Sequence, residues 1–167
     1  NVRRGDTSSY LKLDEWGSAR YNATAQMVSL IVAKNINESN TSENESDYAK
    51  WAKWQMSYLL GDNPYNTCFV TGFTSNSAKN AHHRAASGYD VGEYDNQGGK
   101  AYKYEYDEEK GKTLIGALVG GPMKDGGAYQ DILDSDMAWK TNEVTLDYNA
   151  GLVGAAAGLY YFNPDEA

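Results

Sequence analysis

The stretch Asn142–Phe162, NEVTLDYNAGLVGAAAGLYYF, is the run of sequence that decides the fold. On a helix, Val144, Leu146, Tyr148, Ala150, Leu152, Val153, Ala155, Ala156, Ala157, Leu159 and Tyr160 leave almost no polar face. A helix that is apolar nearly all round is buried all round. The expectation is therefore an all-α protein with two layers of helices and this one inside. Upstream, Trp16 to Lys34 carries apolar residues at helical spacings of three and four: Ala19, Ala23, Met27, Leu30 and Ile31. Asp14 and Glu15 precede it, where negative charge suits a helix N-terminus. A second helix is expected from Tyr48 to Leu60, with Trp51, Trp54, Gln55 and Tyr58 on one stripe. Gly61-Asp62-Asn63-Pro64 ends it, Gly as a left-handed cap and Pro as a residue that cannot continue the helix.

Between these elements the sequence reads as connection. Residues 1–15 lack periodicity, and 35–47 form a polar acidic stretch read as an exposed loop. Residues 65–140 are rich in glycine and irregular, with a highly charged tract at 100–112. A loop system that long inside a compact domain is more often functional than neutral, so it is taken as the active-site loop region. Three helices supply too little surface to cover the last one. The chain also opens at Asn1 without Met, and more protein is expected around it.

Composition narrows the function. The 167 residues hold 15 Lys and Arg against 23 Asp and Glu, a formal net charge of −8, which repels nucleic acids and anionic membrane surfaces. No apolar run approaches the roughly 18 residues of a membrane span. The single cysteine, Cys68, excludes an internal disulfide and any multi-cysteine zinc site. Fourteen Tyr, four Trp and three Phe are compatible with a carbohydrate site, where flat apolar rings lie beside polar groups.

Two constellations carry chemistry. The two histidines are adjacent in His82-His83-Arg84, on a loop where no helix face or strand alternation requires them. Zinc needs three or four tetrahedral ligands, and there is no HExxH; a metal held by His82, His83 and a neighbouring carboxylate is the alternative for this triplet. The second group is Asp131, Asp134, Asp136 and Glu143. Glu143 stands apart, at the mouth of the apolar helix with Trp139 four residues back and Val144 beside it. Apolar walls disfavour the charged form of a carboxyl and suit it to donating a proton, while the positive helix end pulls the other way. Glycoside cleavage needs such an acid and a second carboxylate opposite. There is no GxSxG elbow and no P-loop, and Cys68 has no low-pKa setting.

Taken together, Tyr58-Leu59-Leu60-Gly61-Asp62-Asn63-Pro64, His82-His83-Arg84, Gly116-Ala117-Leu118-Val119-Gly120-Gly121-Pro122, and Asn142-Glu143-Val144 leading to Asp147-Tyr148-Asn149-Ala150 resemble glycoside hydrolase family 9, the endoglucanase-type cellulases. With Trp16-Gly17-Ser18 and its helix, the resemblance covers about nine-tenths of the chain. It implies the C-terminal part of an (α/α)6 barrel, and an endo-β-1,4-glucanase acting on cellulose with inversion. It assigns Glu143 as general acid and His82 and Arg84 as the His-x-Arg that holds sugar hydroxyls on the leaving-group side. His83 and Trp139 are further substrate contacts. It marks an aspartate nine residues before the acid, Asp134. Ile132 stands where the family has an aromatic, so Tyr129-Gln130-Asp131 is the competing match. Ala81 replaces a Pro, Thr74 a Gly, and Cys68 a Ser, Thr or Val.

The family's base motif, Asp-x-Gly-Asp, has no counterpart here, so the chain is expected to be the C-terminal portion of a longer enzyme and inactive alone. A non-catalytic glucan-binding half-domain is the alternative. The implied partner is cellulose or another β-1,4-glucan, with carbohydrate-binding or docking modules appended in the parent. No cofactor is required, and the acidic loops permit a structural calcium ion without specifying one. A polymer too large to enter a cell implies secretion. Asn22, Asn37, Asn40 and Asn44 begin N-glycosylation patterns, though a loop rich in Asn and Ser generates these by chance.

Overall fold

Glycines set how the last helix packs. In a computed structural model that describes residues 10–39, 47–83, 113–123, 129–131 and 138–163, four helices are present: α1 (Ser18–Ser39), α2 (Asp47–Leu59), α3 (Ala138–Asn142) and α4 (Leu146–Phe162). Helix α4 lies along α1, in the same direction, through three side-chain-free positions. A Cβ on Gly151 would stand 2.6 Å from the backbone nitrogen of Thr24. One on Gly154 would meet the Met27 thioether, and one on Gly158 would stand 2.9 Å from Leu30 Cδ1. The two helices therefore approach more closely than helices with ordinary side chains between them. Helix α2 packs on α1 and more lightly on α4.

The described residues contain no strand, only isolated bridges. The elements agree with an all-α reading, with differences in detail. Helix α1 runs on to Ser39, so 35–39 is helical rather than loop, and no Gly or Pro interrupts it. Ile31, expected in the core, is 54% exposed, whereas Ala19, Ala23 and Leu30 are buried. The run 142–162 is not one helix. Helix α3 stops at Asn142, residues 143–145 are not helical, and α4 restarts with Thr145, in extended backbone, as N-cap, its hydroxyl accepting from the Tyr148 N–H. Nor is α4 buried all round: Tyr148, Gly151 and Ala155 are buried, but Leu146, Val153, Tyr160 and Tyr161 are exposed. Among the described residues, α1, parts of α2 and the segment around Leu118 cover it, and the rest of its surface is exposed.

A polar cluster locks α1 to α2 inside the core. Gln26 Nε2 donates to Asn22 Oδ1 at 2.6 Å, and Asn22 Nδ2 donates to Gln55 Oε1, all three residues being fully buried. The Leu11 N–H donates to the same Gln55 oxygen at 3.2 Å, which fastens the segment ahead of α1. Because Asn22 is buried, its Asn-Ala-Thr pattern is no glycan acceptor in the folded protein. Asn40 and Asn44 lie outside the described residues, as does the charged tract 100–112.

The segment 117–121 threads among the helices and joins them. The Leu118 N–H donates to Asn149 Oδ1 of α4 at 2.8 Å. The Ala19 N–H at the start of α1 donates to the Gly120 carbonyl at 2.9 Å, and the Gly121 N–H to the Thr141 carbonyl of α3 at 2.8 Å. A Cβ on Gly120 would lie 2.5 Å from the Lys140 carbonyl oxygen, so only glycine admits this backbone-to-backbone contact. On its other side, the Val119 N–H donates to the Phe69 carbonyl and the Thr71 N–H to the Ala117 carbonyl, both at 2.9 Å. Phe69, Leu118, Val119 and Tyr148 form the fully buried centre.

The α1–α4 contact gives a sharp contrast between two glycines. Gly151→Ala presses on the backbone of Thr24 and should lower the free energy of unfolding by about 1–3 kcal/mol, the range for overfilling a packed contact. Gly154→Ala meets the flexible Met27 side chain and should be near neutral, since alanine also gains roughly 1 kcal/mol of helix propensity. Urea denaturation of both variants beside the parent protein reads the difference; equal costs would contradict this packing.

Candidate active site

Two motifs separated by some sixty residues in sequence meet at the backbone. The His82 N–H donates to the Asn142 carbonyl at 2.7 Å, and His82 and Glu143 form a parallel bridge. The break between α3 and α4 makes this possible, because the last carbonyls of a helix have no acceptor role within it and can take a donor from another segment. Glu143 thus sits not at the N-terminal mouth of an apolar helix, as its sequence neighbours suggest, but in the short link before it. Its own N–H donates back to the Trp139 carbonyl at 3.3 Å.

Asp131 holds the histidine segment in place. Its carboxylate accepts the backbone N–H groups of Lys79 at 2.8 Å and Asn80 at 3.1 Å, and the Asn142 side-chain amide at 3.3 Å. Its carbonyl accepts from the Asn80 amide at 2.7 Å. The buried Tyr129 hydroxyl reaches Asp131 Oδ1 at 3.5 Å; burial and that nearby carboxylate push the phenol well above its ordinary range. Asp131 therefore ties residues 79–80 to the end of α3, a structural task. Asp134 and Arg84 lie outside the described residues.

Around Glu143 the structure assembles aromatic rings that come from both ends of the chain. Trp16 Nε1 donates to Glu143 Oε2 at 2.7 Å, and the Tyr148 hydroxyl donates to the same oxygen at 3.2 Å. Trp139, expected at this site, meets Trp16 edge-to-face with centroids 5.1 Å apart. Glu143 and the side chains of His82, His83 and Trp139 are half-buried. Burial raises the Tyr148 phenol well above its ordinary value, and the Glu143 charge adds to the shift, so the group stays protonated as a donor.

The neighbours of Tyr148 are closely fitted. Gly17 has φ +61°, in the left-handed region that favours glycine, and a Cβ there would collide with the Tyr148 hydroxyl. Arg20 pairs with Asp147 at 3.0 Å. The Thr145 hydroxyl and then Arg20 hold the Asp147 carboxyl below its ordinary value. A depressed carboxylate contributes stability above its unfolded pKa and loses it as pH falls through the folded one, so this pair persists at neutral pH and lapses only under strong acid.

Of the expected residues, then, His82 pairs with Glu143 at the backbone, Trp139 meets the Trp16 ring that donates to Glu143, and Asp131 holds the segment leading to His82. Sequence reasoning did not assign roles to Trp16, Arg20 and Tyr148. The signal for Trp16 and Tyr148 was present, since both stand in the quoted motifs Trp16-Gly17-Ser18 and Asp147-Tyr148-Asn149-Ala150. Among the described residues, no three His, Cys, Asp or Glu side chains are grouped so as to hold a metal ion.

The family profile described as glycosyl hydrolase family 9 matches residues 3–156, which include both His82 and Glu143. The chain belongs to that family. Endoglucanase A of Bacillus pumilus is 38% identical over 148 residues, covering 88% of this chain and 20% of the relative. Among solved structures, the catalytic domain of Clostridium thermocellum CelT is 43% identical with a TM-score of 0.70, covering 90% of this chain and 26% of that one. Endoglucanase CelQ of the same organism, solved with cellobiose and cellotriose, is 35% identical with a TM-score of 0.70, covering 95% of this chain and 23% of that one. The fold is accordingly that of a part of the family's (α/α)6 barrel. The chain spans about a fifth of the length of the curated relatives it matches.

Removing the Asp131 tether should loosen the histidine segment. Asp131→Ala is expected to cost roughly 1.5–3 kcal/mol of stability, the range for losing a hydrogen bond to a charged acceptor. It should also speed amide hydrogen exchange at Lys79 and Asn80. Unchanged exchange at those two positions would show that another group holds the segment.

Proposed function

We propose that this chain supplies the proton-donating side of an endo-β-1,4-glucanase that hydrolyses cellulose with inversion. One observation carries the reading: the backbone pairing of His82 with Glu143 brings the two family motifs with titratable side chains to one place. Glu143 is the general acid. Its carboxyl O–H bond breaks as the proton passes to the departing glycosidic oxygen, which keeps the electron pair of the broken C–O bond. On the opposite face of the sugar, water is activated by an aspartate from sequence outside this chain, as an inverting pair roughly 6.5–9.5 Å apart requires.

His82 and Arg84, with His83 and the Trp139 ring, hold the sugar on the leaving-group side, and their role is to fix the scissile bond in line with the acid. Asp134, with Asp131 as the competing match, is read as the aspartate the family pairs with this acid. The reaction so described requires no cofactor. The substrate is cellulose or a related β-1,4-glucan; the likeness to an endoglucanase solved with cellobiose and cellotriose supports this. A polymer substrate places the enzyme outside the cell. No helix among the described residues is long and apolar enough to cross a membrane.

In the full-length protein, Glu143→Gln should lower turnover on cellulose by about 10²–10⁴-fold, the usual contribution of a positioned acid, while binding of cello-oligosaccharides is retained. Titration calorimetry beside hydrolysis assays reads both quantities. Turnover near that of the parent protein would sink the assignment.

A further inference from the structure

Trp16 and Tyr148 are 132 positions apart in sequence, yet both donate to one carboxyl oxygen of Glu143. Between the two rings stands a single cation. The Arg20 Cζ lies 5.2 Å from the Trp16 ring centroid, 4.9 Å from that of Tyr148 and 4.6 Å from that of Tyr21. Each arm of its guanidinium is fixed. Nη1 donates to Asp147 Oδ2 and Nη2 to the Tyr21 hydroxyl, both at 3.0 Å. Asp147 is held in turn by the Thr145 hydroxyl, and Thr145 also accepts the Tyr148 backbone N–H at 3.4 Å. The arrangement is rigid by construction, because a planar fork with two anchored arms cannot turn without losing an anchor.

We propose that Arg20 is a positioning residue for proton donation by Glu143, acting through Trp16 and Tyr148. By setting the spacing of indole and phenol, it confines both hydrogen bonds to Oε2 and leaves Oε1 to carry the proton. An oxygen whose lone pairs already accept an N–H and an O–H is the poorer seat for a further proton, so the acid presents one oxygen rather than two. The aromatic faces hold the guanidinium by cation–π attraction, worth more where water is partly excluded. Lysine would keep the charge but lose the two-armed grip. The inference rests on the assignment of Glu143 as the acid.

Leaving groups separate a misplaced acid from general damage. Cellotetraose needs its departing oxygen protonated, whereas the dinitrophenolate of dinitrophenyl cellobioside departs unassisted. In the full-length protein, Arg20→Lys and Trp16→Phe should each lower kcat on cellotetraose about 10-fold, a fraction of the full general-acid contribution. KM should hold, and turnover of dinitrophenyl cellobioside should stay close to that of the parent. Trp16→Phe keeps a ring beside Arg20 and removes the N–H, so it tests the same linkage should Arg20→Lys fail to fold. Losses equal on both substrates, or absent from both, would overturn the role of Arg20. Glu143→Ala is the control: if it too fails to discriminate between the substrates, the acid assignment falls instead.

Discussion

Helix α4 can lie against α1 as closely as it does because Gly151, Gly154 and Gly158 carry no side chain on the contact face. At that separation backbone and side-chain atoms of α1, rather than interleaved side chains, set the position of α4. The consequence reaches well beyond the contact. The first turn of α1, with Trp16 just ahead of it and Arg20 within it, is brought level with the first turn of α4, which carries Asp147 and Tyr148. Glu143, three residues before α4, falls between them. A wider helix spacing would part the Arg20–Asp147 pair and withdraw the Trp16 indole from Glu143.

The middle of the chain transmits this arrangement without regular secondary structure. Residues 117–121 form hydrogen bonds with α1, α3 and α4 on one side and with residues 69–71 on the other. Backbone groups in so irregular a segment must find partners one by one, and here they find them on neighbouring elements rather than on each other. The Asp131 carboxylate serves the same end for residues 79–80, giving acceptors to two N–H groups that no ladder serves. His82 is thereby delivered to the link between α3 and α4 as part of a fixed frame.

Glu143 is held by the Trp16 and Tyr148 donors. Arg20 acts on the rings of those two residues and on Asp147. Two donors on one oxygen fix the orientation of the Glu143 carboxyl group.

Much of this was legible in the residues. The helices at 16–34 and 48–60 were legible from apolar spacing, and a last helix within 142–162 from a run that is apolar nearly all round. The family was legible through the order of its motifs, and the backbone pairing of His82 with Glu143 brings two of those motifs together. Local pattern could not place the break at 143–145, since a run of apolar residues reads the same whether it is one helix or a link followed by a helix. It also predicted burial for every apolar position of α4, whereas exposure of Leu146, Val153 and Tyr160 depends on which faces have neighbours. Trp16 and Tyr148 stand in quoted motifs, but their shared contact with Glu143 and the part of Arg20 lay out of reach for the same reason. Their spacing in sequence carries no distance, and only the close crossing of α1 and α4 brings an indole, a guanidinium and a phenol to one carboxyl oxygen.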